Sequence, residues 1–213
     1  MITIAAPPWA EVSPSDGEFK GAFFDILKAV TQRTSYQFTT TLTPFARAGR
    51  EIERGSQDCT ILAPLDELKV VRGEAVLQHP IGVIAHRRFA LKTVQDLRLL
   101  DVSVLRGGGS MLADVSADYQ INISHDTNYT MGLKKLARGR VDAVAGAIPT
   151  LQYIARLEGI APLLSKPLVL RHIPLVFQCS RLSNRLNAMA AINKALSDMR
   201  RGGFFDTLKA KYQ

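Results

Sequence analysis

Apolar positions recur along this chain with two periods. From Gly21 to Arg33, the residues Phe23, Phe24, Ile26, Leu27 and Val30 form an i, i+3, i+4, i+7 stripe, the width of one helix face. Between such stripes lie short runs that read as strands: Ile2–Ala5, Tyr36–Leu42, Cys59–Ala63, Ile81–Ala85, Asp101–Leu105, Ile121–Ser124, Ala143–Gly146, Leu168–Arg171 and Ile173–Cys179. Thr43-Pro44 opens a helix with a cap residue and a proline in the first turn. Further helices are predicted over Met111–Asp118, from a Thr127 or Asn128 cap to Arg138, over Pro149–Leu157, from a Ser183-Asn184 cap over Arg185–Arg200, and over Phe204–Tyr212. Thr93–Leu97 reads as a single helical turn.

One phrase occurs twice. Arg54-Gly55-Ser56-Gln57-Asp58 leads into the strand at Cys59, and Arg138-Gly139-Arg140-Val141-Asp142 leads into the strand at Ala143. The arginine suits the negative end of a helix dipole, and the glycine takes the left-handed conformation just past it. Each copy therefore closes an amphipathic helix and starts a buried strand. Walking back from each copy gives one order: strand, helix, strand, helix, phrase, strand. A unit built twice predicts an α/β protein of two lobes with a cleft between them. The final helices belong to neither repeat and are expected to pack on the first unit. That places lobe 1 at residues 1–84 plus 178–213 and lobe 2 at 88–173, with crossings near Val83–Arg88 and Pro174–Cys179.

Composition narrows the class. At 213 residues, 46% hydrophobic and 22% charged, the chain can bury a core as one large domain or two small ones. No apolar run is long enough to span a bilayer. Met1–Ala5 already reads as strand, so any export signal is expected to have been removed. The formal charge of +8 is scattered over Arg47, Arg50, Arg54, Arg87, Arg88, Lys134, Lys135, Arg200 and Arg201 and the rest of the surface. No basic segment is interleaved with aromatics, which speaks for a solvated surface and against nucleic acid. Cys59 and Cys179 have no CxxC spacing and lie in strand-like runs, which predicts two buried thiols. A disulfide is the alternative in an oxidising compartment, and sequence does not show that the two meet.

In open α/β sheets, ligands bind at the carboxyl ends of strands. Here those ends carry Pro7-Pro8-Trp9, Ala63-Pro64-Leu65-Asp66, Arg106-Gly107-Gly108-Gly109-Ser110 and Gly146. Trp9 is either a wall for a ligand or a lid over the core. The glycine turn is either an anion site of free backbone N–H groups or a plain strand–helix turn.

Several stretches resemble the amino-acid-binding (family 3) class of solute-binding proteins of bacterial ABC transporters. They are Pro7-Pro8-Trp9, Gly17 to Ile26 with Gly21-Ala22-Phe23-Phe24-Asp25, Gly55-Ser56-Gln57-Asp58, Thr93–Leu97 before strand Val102–Leu105, Gly139–Val144, Ile192–Leu196 and Gly203-Phe204-Phe205-Asp206. The resemblance covers nearly the whole chain. It implies a two-lobed, type II periplasmic-binding-protein-like fold with two hinge strands, a small-molecule ligand, a membrane permease as partner, a periplasmic location, a monomer and no cofactor. It also implies that lobes close on a ligand that touches both. The family grips the carboxylate of an α-amino acid with an arginine after the third strand of lobe 1. Val70 or Val71 holds that place here, with Arg72 beside it. A threonine of the lobe 2 turn is replaced by Gly108, and the aspartate that pairs with the ammonium is replaced by Ala147. A buried ammonium without a counter-charge is costly, so ordinary α-amino acids are expected to bind poorly or not at all. The expected ligand-binding set is Trp9, Phe45, Ala63, Pro64, Asp66, Arg72, Arg106, Gly107, Gly108, Gly109, Ser110 and Gly146, for a small anionic or polar organic molecule.

Three other readings compete. An enzyme is one, since some dehydratases resemble these binding proteins. Against it, His79, His86, His125 and His172 show no metal-ligand spacing, and Ser110 lacks a GxSxG elbow. A dinucleotide site is another, with Gly107-Gly108-Gly109 and Asp126 about 20 residues on. Leu112 stands where its third glycine belongs. The third is a ligand-sensing module of a signalling protein.

Overall fold

The structure, a computed structural model, describes residues 1–13, 15–107, 112 and 119–212. The chain divides into two compact units, one of Met1–Gln78 with Pro174–Gln213 and one of His79–Ile173.

In the first unit, β1 (Ile2–Ile4) pairs in parallel with β4 (Thr41–Thr43), Ile2 opposite Thr41. A small hairpin of β2 (Glu11–Val12) and β3 (Phe19–Lys20) leads into α1 (Ala22–Arg33). The stripe read from sequence is the buried face of α1: Phe23, Ile26, Leu27 and Val30 join Trp9, Ile61, Phe177, Leu196 and Met199 in one apolar cluster. α2 (Phe45–Glu53) ends at Arg54, and Gly55 follows at φ +73°, the left-handed stop its position requires. β5 (Cys59–Leu62) is antiparallel to β10 (Leu168–Ser180), which neighbours β6 (Val70–Ala85). α5 (Met189–Arg201) and α6 (Phe204–Tyr212) pack their apolar faces on the same cluster, separated by Gly202-Gly203.

In the second unit, the later half of β6 is antiparallel to β9 (Ala143–Ala147), with Gly82 opposite Gly146. β7 (Asp101–Leu105) is parallel to β9 on one side and to β8 (Asn122–Asp126) on the other. Strand alternation splits the core between two faces. Val83, Ala85, Val102, Val104, Ala143 and Ala145 face one cluster with Leu97 and Leu112. Ile84 and Val144 face the other, against α3 (Tyr129–Ala137) and α4 (Ile148–Leu157). Asn128 caps α3, its Oδ1 accepting from the Met131 N–H at 2.9 Å. Thr93 and Asp96 form a capping box on the turn Val94–Leu97. The second copy of the phrase repeats the first: Arg138 ends α3, and Gly139 has φ +66°.

Several expectations differ from the structure. Tyr36–Leu42 is not a seven-residue strand, because β1 offers only three residues of ladder. Tyr36 and Phe38 instead pack on the core. Pro44, not Thr43, is the N-cap of α2, and no side chain caps it. Ile81–Ala85 is the end of a sixteen-residue strand, since Pro80 removes one donor yet keeps an extended φ that a strand tolerates. Leu168–Arg171 and Ile173–Cys179 are likewise one strand, running through Pro174. The division between units falls at Gln78–His79 and Ile173–Pro174. Ser183 does not cap the long helix, which starts only at Met189 after a 3-10 turn at Leu186–Ala188: its hydroxyl accepts from the Arg185 N–H at 3.0 Å and donates to Asp58 at 2.6 Å, ahead of that turn. The helix expected over Met111–Asp118 lies outside the described residues, Leu112 excepted.

The cysteines are not two free thiols. Register places Cys59 directly opposite Cys179 on β5 and β10, and their sulfurs are bonded.

Candidate functional site

Each unit presents its own set of residues at the carboxyl ends of its strands. In the first unit, the Ala6–Ala10 turn, which contains a cis Pro7–Pro8 peptide, folds back on α1. The carbonyls of Pro8 and Trp9 accept from the N–H groups of Ala22 and Phe23, at 3.2 and 2.9 Å. These are free donors of a helix N-terminus, so the loop caps α1 itself. Gly21 permits the approach, since a β-carbon there would stand 2.5 Å from the Trp9 oxygen. Trp9 is 3% exposed and stacks on Phe23 with centroids 6.1 Å apart. The indole therefore sits in the apolar core, where the lid reading placed it. Phe45 is half-buried at the start of α2.

The segment after β5 is held by its own chain. Gln178, fully buried on β10, donates from Nε2 to the carbonyls of Leu62 (3.3 Å) and Ala63 (2.9 Å), and its Oε1 accepts from the Leu65 N–H at 3.0 Å. The guanidinium of Arg72 donates to the Leu65 carbonyl and to the Glu67 carboxylate. Asp66 is exposed and closes the turn, its Oδ1 accepting from the Leu68 N–H at 2.9 Å and its carbonyl from Lys69 and Val70. Arg181 Nε takes the Glu67 carbonyl at 3.0 Å. Ala63 is half-buried and Pro64 exposed.

In the second unit, Arg106 and Gly107 are exposed at the end of β7, and Gly107 has φ +87°. The Arg106 N–H donates to the Asp126 carbonyl at 2.8 Å. Gly108, Gly109 and Ser110 lie outside the described residues. Asp126 is 4% exposed, and both its oxygens are engaged at 2.6 Å, one by the Ser103 hydroxyl and one by Lys135 Nζ. Asp126 is thus a buried carboxylate tied to Ser103 and Lys135 inside the unit, not an exposed acid at the strand end as the dinucleotide reading needs. Gly146 is buried against the ring of Tyr129, whose oxygen accepts from the Ala147 N–H at 3.3 Å. Burial raises the Tyr129 hydroxyl above its ordinary pKa, opposed by that hydrogen bond, so the phenol stays neutral. Among the described residues no group of three His, Cys, Asp or Glu side chains is gathered for a metal ion.

Sequence reasoning missed Gln178, Glu67 and Tyr129. Gln178 carried the clearest signal: a lone amide inside the apolar run Ile173–Cys179, where a buried polar group must have partners. Glu67 and Tyr129 carried none, because their roles depend on where Arg72 and Gly146 lie in space.

No protein-family model and no curated protein matches the chain. Solved structures do. A histidine kinase sensor domain with similarity to periplasmic binding proteins superposes with a TM-score of 0.84 at 16% identity, covering 100% of this chain and 95% of that one. An ABC uptake transporter substrate-binding protein from Streptococcus pneumoniae with bound histidine gives 0.81 at 17% identity, covering 99% and 90%. An ancestral amino acid-binding protein, a precursor of cyclohexadienyl dehydratase, gives 0.78 at 19% identity, covering 99% and 93%. The chain thus has the α/β fold of the two-lobed periplasmic-binding-protein-like domains over its full length.

Proposed function

We propose that this protein is a periplasmic solute-binding protein. It captures a small anionic or polar organic molecule and delivers it to an ABC-type membrane permease, acting as a monomer without catalysis or cofactor. The observation that carries the reading is the fit of the whole chain, end to end, to proteins that bind small molecules for uptake. The Cys59–Cys179 bond supports an oxidising location.

The ligand in this reading is not an ordinary α-amino acid. Ala147 offers no charge for an ammonium, and the Arg72 guanidinium is engaged by the chain's own Glu67 carboxylate and Leu65 carbonyl. The proposed contacts are Phe45, Ala63, Pro64 and Asp66 in the first unit and Arg106, Gly107, Gly108, Gly109, Ser110 and Gly146 in the second. Trp9 supports them from the core. Calorimetric titration with the twenty amino acids and with the matching 2-hydroxy acids tests this. The reading expects no micromolar affinity among the former, and one such affinity overturns it.

A second use of the same fold is a ligand-sensing module, favoured by the superposition on a histidine kinase sensor domain. Binding chemistry is common to both uses. A permease-reconstituted uptake assay separates them.

A further inference from the structure

The carboxyl end of β9 is an end at which ligands of open α/β sheets bind, yet the strand brings no polar side chain there: its last two residues are Gly146 and Ala147. A polar atom arrives from another element. Tyr129 opens α3, and its ring lies in the space that a side chain on Gly146 would fill. This carries the phenol oxygen to the last N–H of β9, that of Ala147, which donates to it at 3.3 Å.

The hydroxyl is thereby only half used. A phenol has a proton to donate as well as lone pairs to accept. A lone pair takes the Ala147 N–H, and the proton meets no acceptor among the described residues. Burial raises the pKa of the hydroxyl, so the proton stays in place at any ordinary pH. A donor left unmet away from bulk water is costly, and such a group calls for a partner. The side chain as a whole is half-buried, packed on the cluster that holds Ile84, Val144 and Leu151, so it is not sealed within the unit.

We propose that Tyr129 is a ligand-binding residue of the second unit, its hydroxyl donating to an oxygen of the bound solute at the end of β9. The inference rests on the solute-binding reading and adds to it a polar contact and the kind of group it meets: a carboxylate, carbonyl or hydroxyl oxygen. Gly146 leaves room for the ring, and the Ala147 N–H holds the phenol oxygen in place. A donor ordered before the solute arrives spares the cost of fixing it on binding.

The test reads the phenol directly. The full chain is labelled with fluorotyrosine, and among its five tyrosines the Tyr129 signal is the one missing from Tyr129→Phe. Lactate, malate and phenyllactate, each a carboxylate with a neighbouring hydroxyl, are titrated by fluorine NMR and by calorimetry. The Tyr129 signal is expected to move with at least one of the three. Tyr129→Phe keeps the ring on Gly146 and is expected to bind that probe at least about tenfold more weakly while folded by circular dichroism, the scale of one hydrogen bond to a charged group. No shift with any probe, or an affinity unchanged in Tyr129→Phe, overturns the proposal and leaves an ordered water as the partner of the phenol. Heat in the same titrations separates the two readings. With heat, a solute binds and only the role of Tyr129 falls; without heat, the solute reading loses its anionic ligand as well.

Discussion

The ring of Tyr129 stands where a side chain on Gly146 would have to go: its Cζ and Oη each lie 2.7 Å from the position of a β-carbon there. The two come from different elements, the first turn of α3 and the end of β9, so the glycine is what lets the helix seat on the strand. Gly146→Ala is expected to destabilise the fold by about 1–3 kcal/mol through overpacking. Combining it with Tyr129→Ala should cost less than the sum of the two changes, since the clash disappears with the ring. Urea unfolding of the four proteins in this cycle measures the coupling.

Lys135 is the only cation shown on the buried carboxylate of Asp126 among the described residues. Lys135→Met therefore leaves a charge in the second unit held by the Ser103 hydroxyl alone. The expected loss is about 3–5 kcal/mol, since breaking a buried pair strands its partner. Asp126→Asn should be milder, because an amide still accepts from Ser103 without an unpaired charge. Equal losses for the two would contradict this account.

Cys59 and Cys179 are 120 residues apart in sequence, so their bond closes most of the chain into one loop. Replacing both by alanine is expected to lower stability by roughly 2–5 kcal/mol, and dithiothreitol should reproduce that loss in the wild type and leave the variant unchanged. A wild type indifferent to reductant would show the thiols to be free.

Much of this architecture was legible because it depends on local chemistry. Gly55 and Gly139 mark helix ends through a conformation that suits glycine, and the stripe on α1 declares its buried face. What depends on pairing across long separations was not. The continuity of β6 through Pro80 is set by the sheet around it, and the bond between Cys59 and Cys179 by the register of β5 on β10. Of the candidate site, the strand ends were readable, whereas the engagement of Arg72 by Glu67 and Leu65 was not, because it depends on how one exposed turn closes.

His79 sits near the middle of β6, and burial lowers its pKa from 6.5 to about 4. Between those values the unfolded chain binds a proton that the folded chain does not, so this group withdraws stability as pH falls from 6.5 to about 4 and has no effect above that window. The full effect is roughly 3 kcal/mol. His79→Gln should show a shallower decline over that interval than the wild type in denaturant unfolding at a series of pH values. Parallel curves would mean that the imidazole is not shielded from water.

Native mass spectrometry of the purified protein, followed by release and identification of what it holds, decides whether the chain carries a solute. A single small-molecule adduct is expected, an anionic or polar organic compound other than an ordinary α-amino acid. An α-amino acid in that position, or a protein that stays empty after incubation with a soluble metabolite extract, would contradict it.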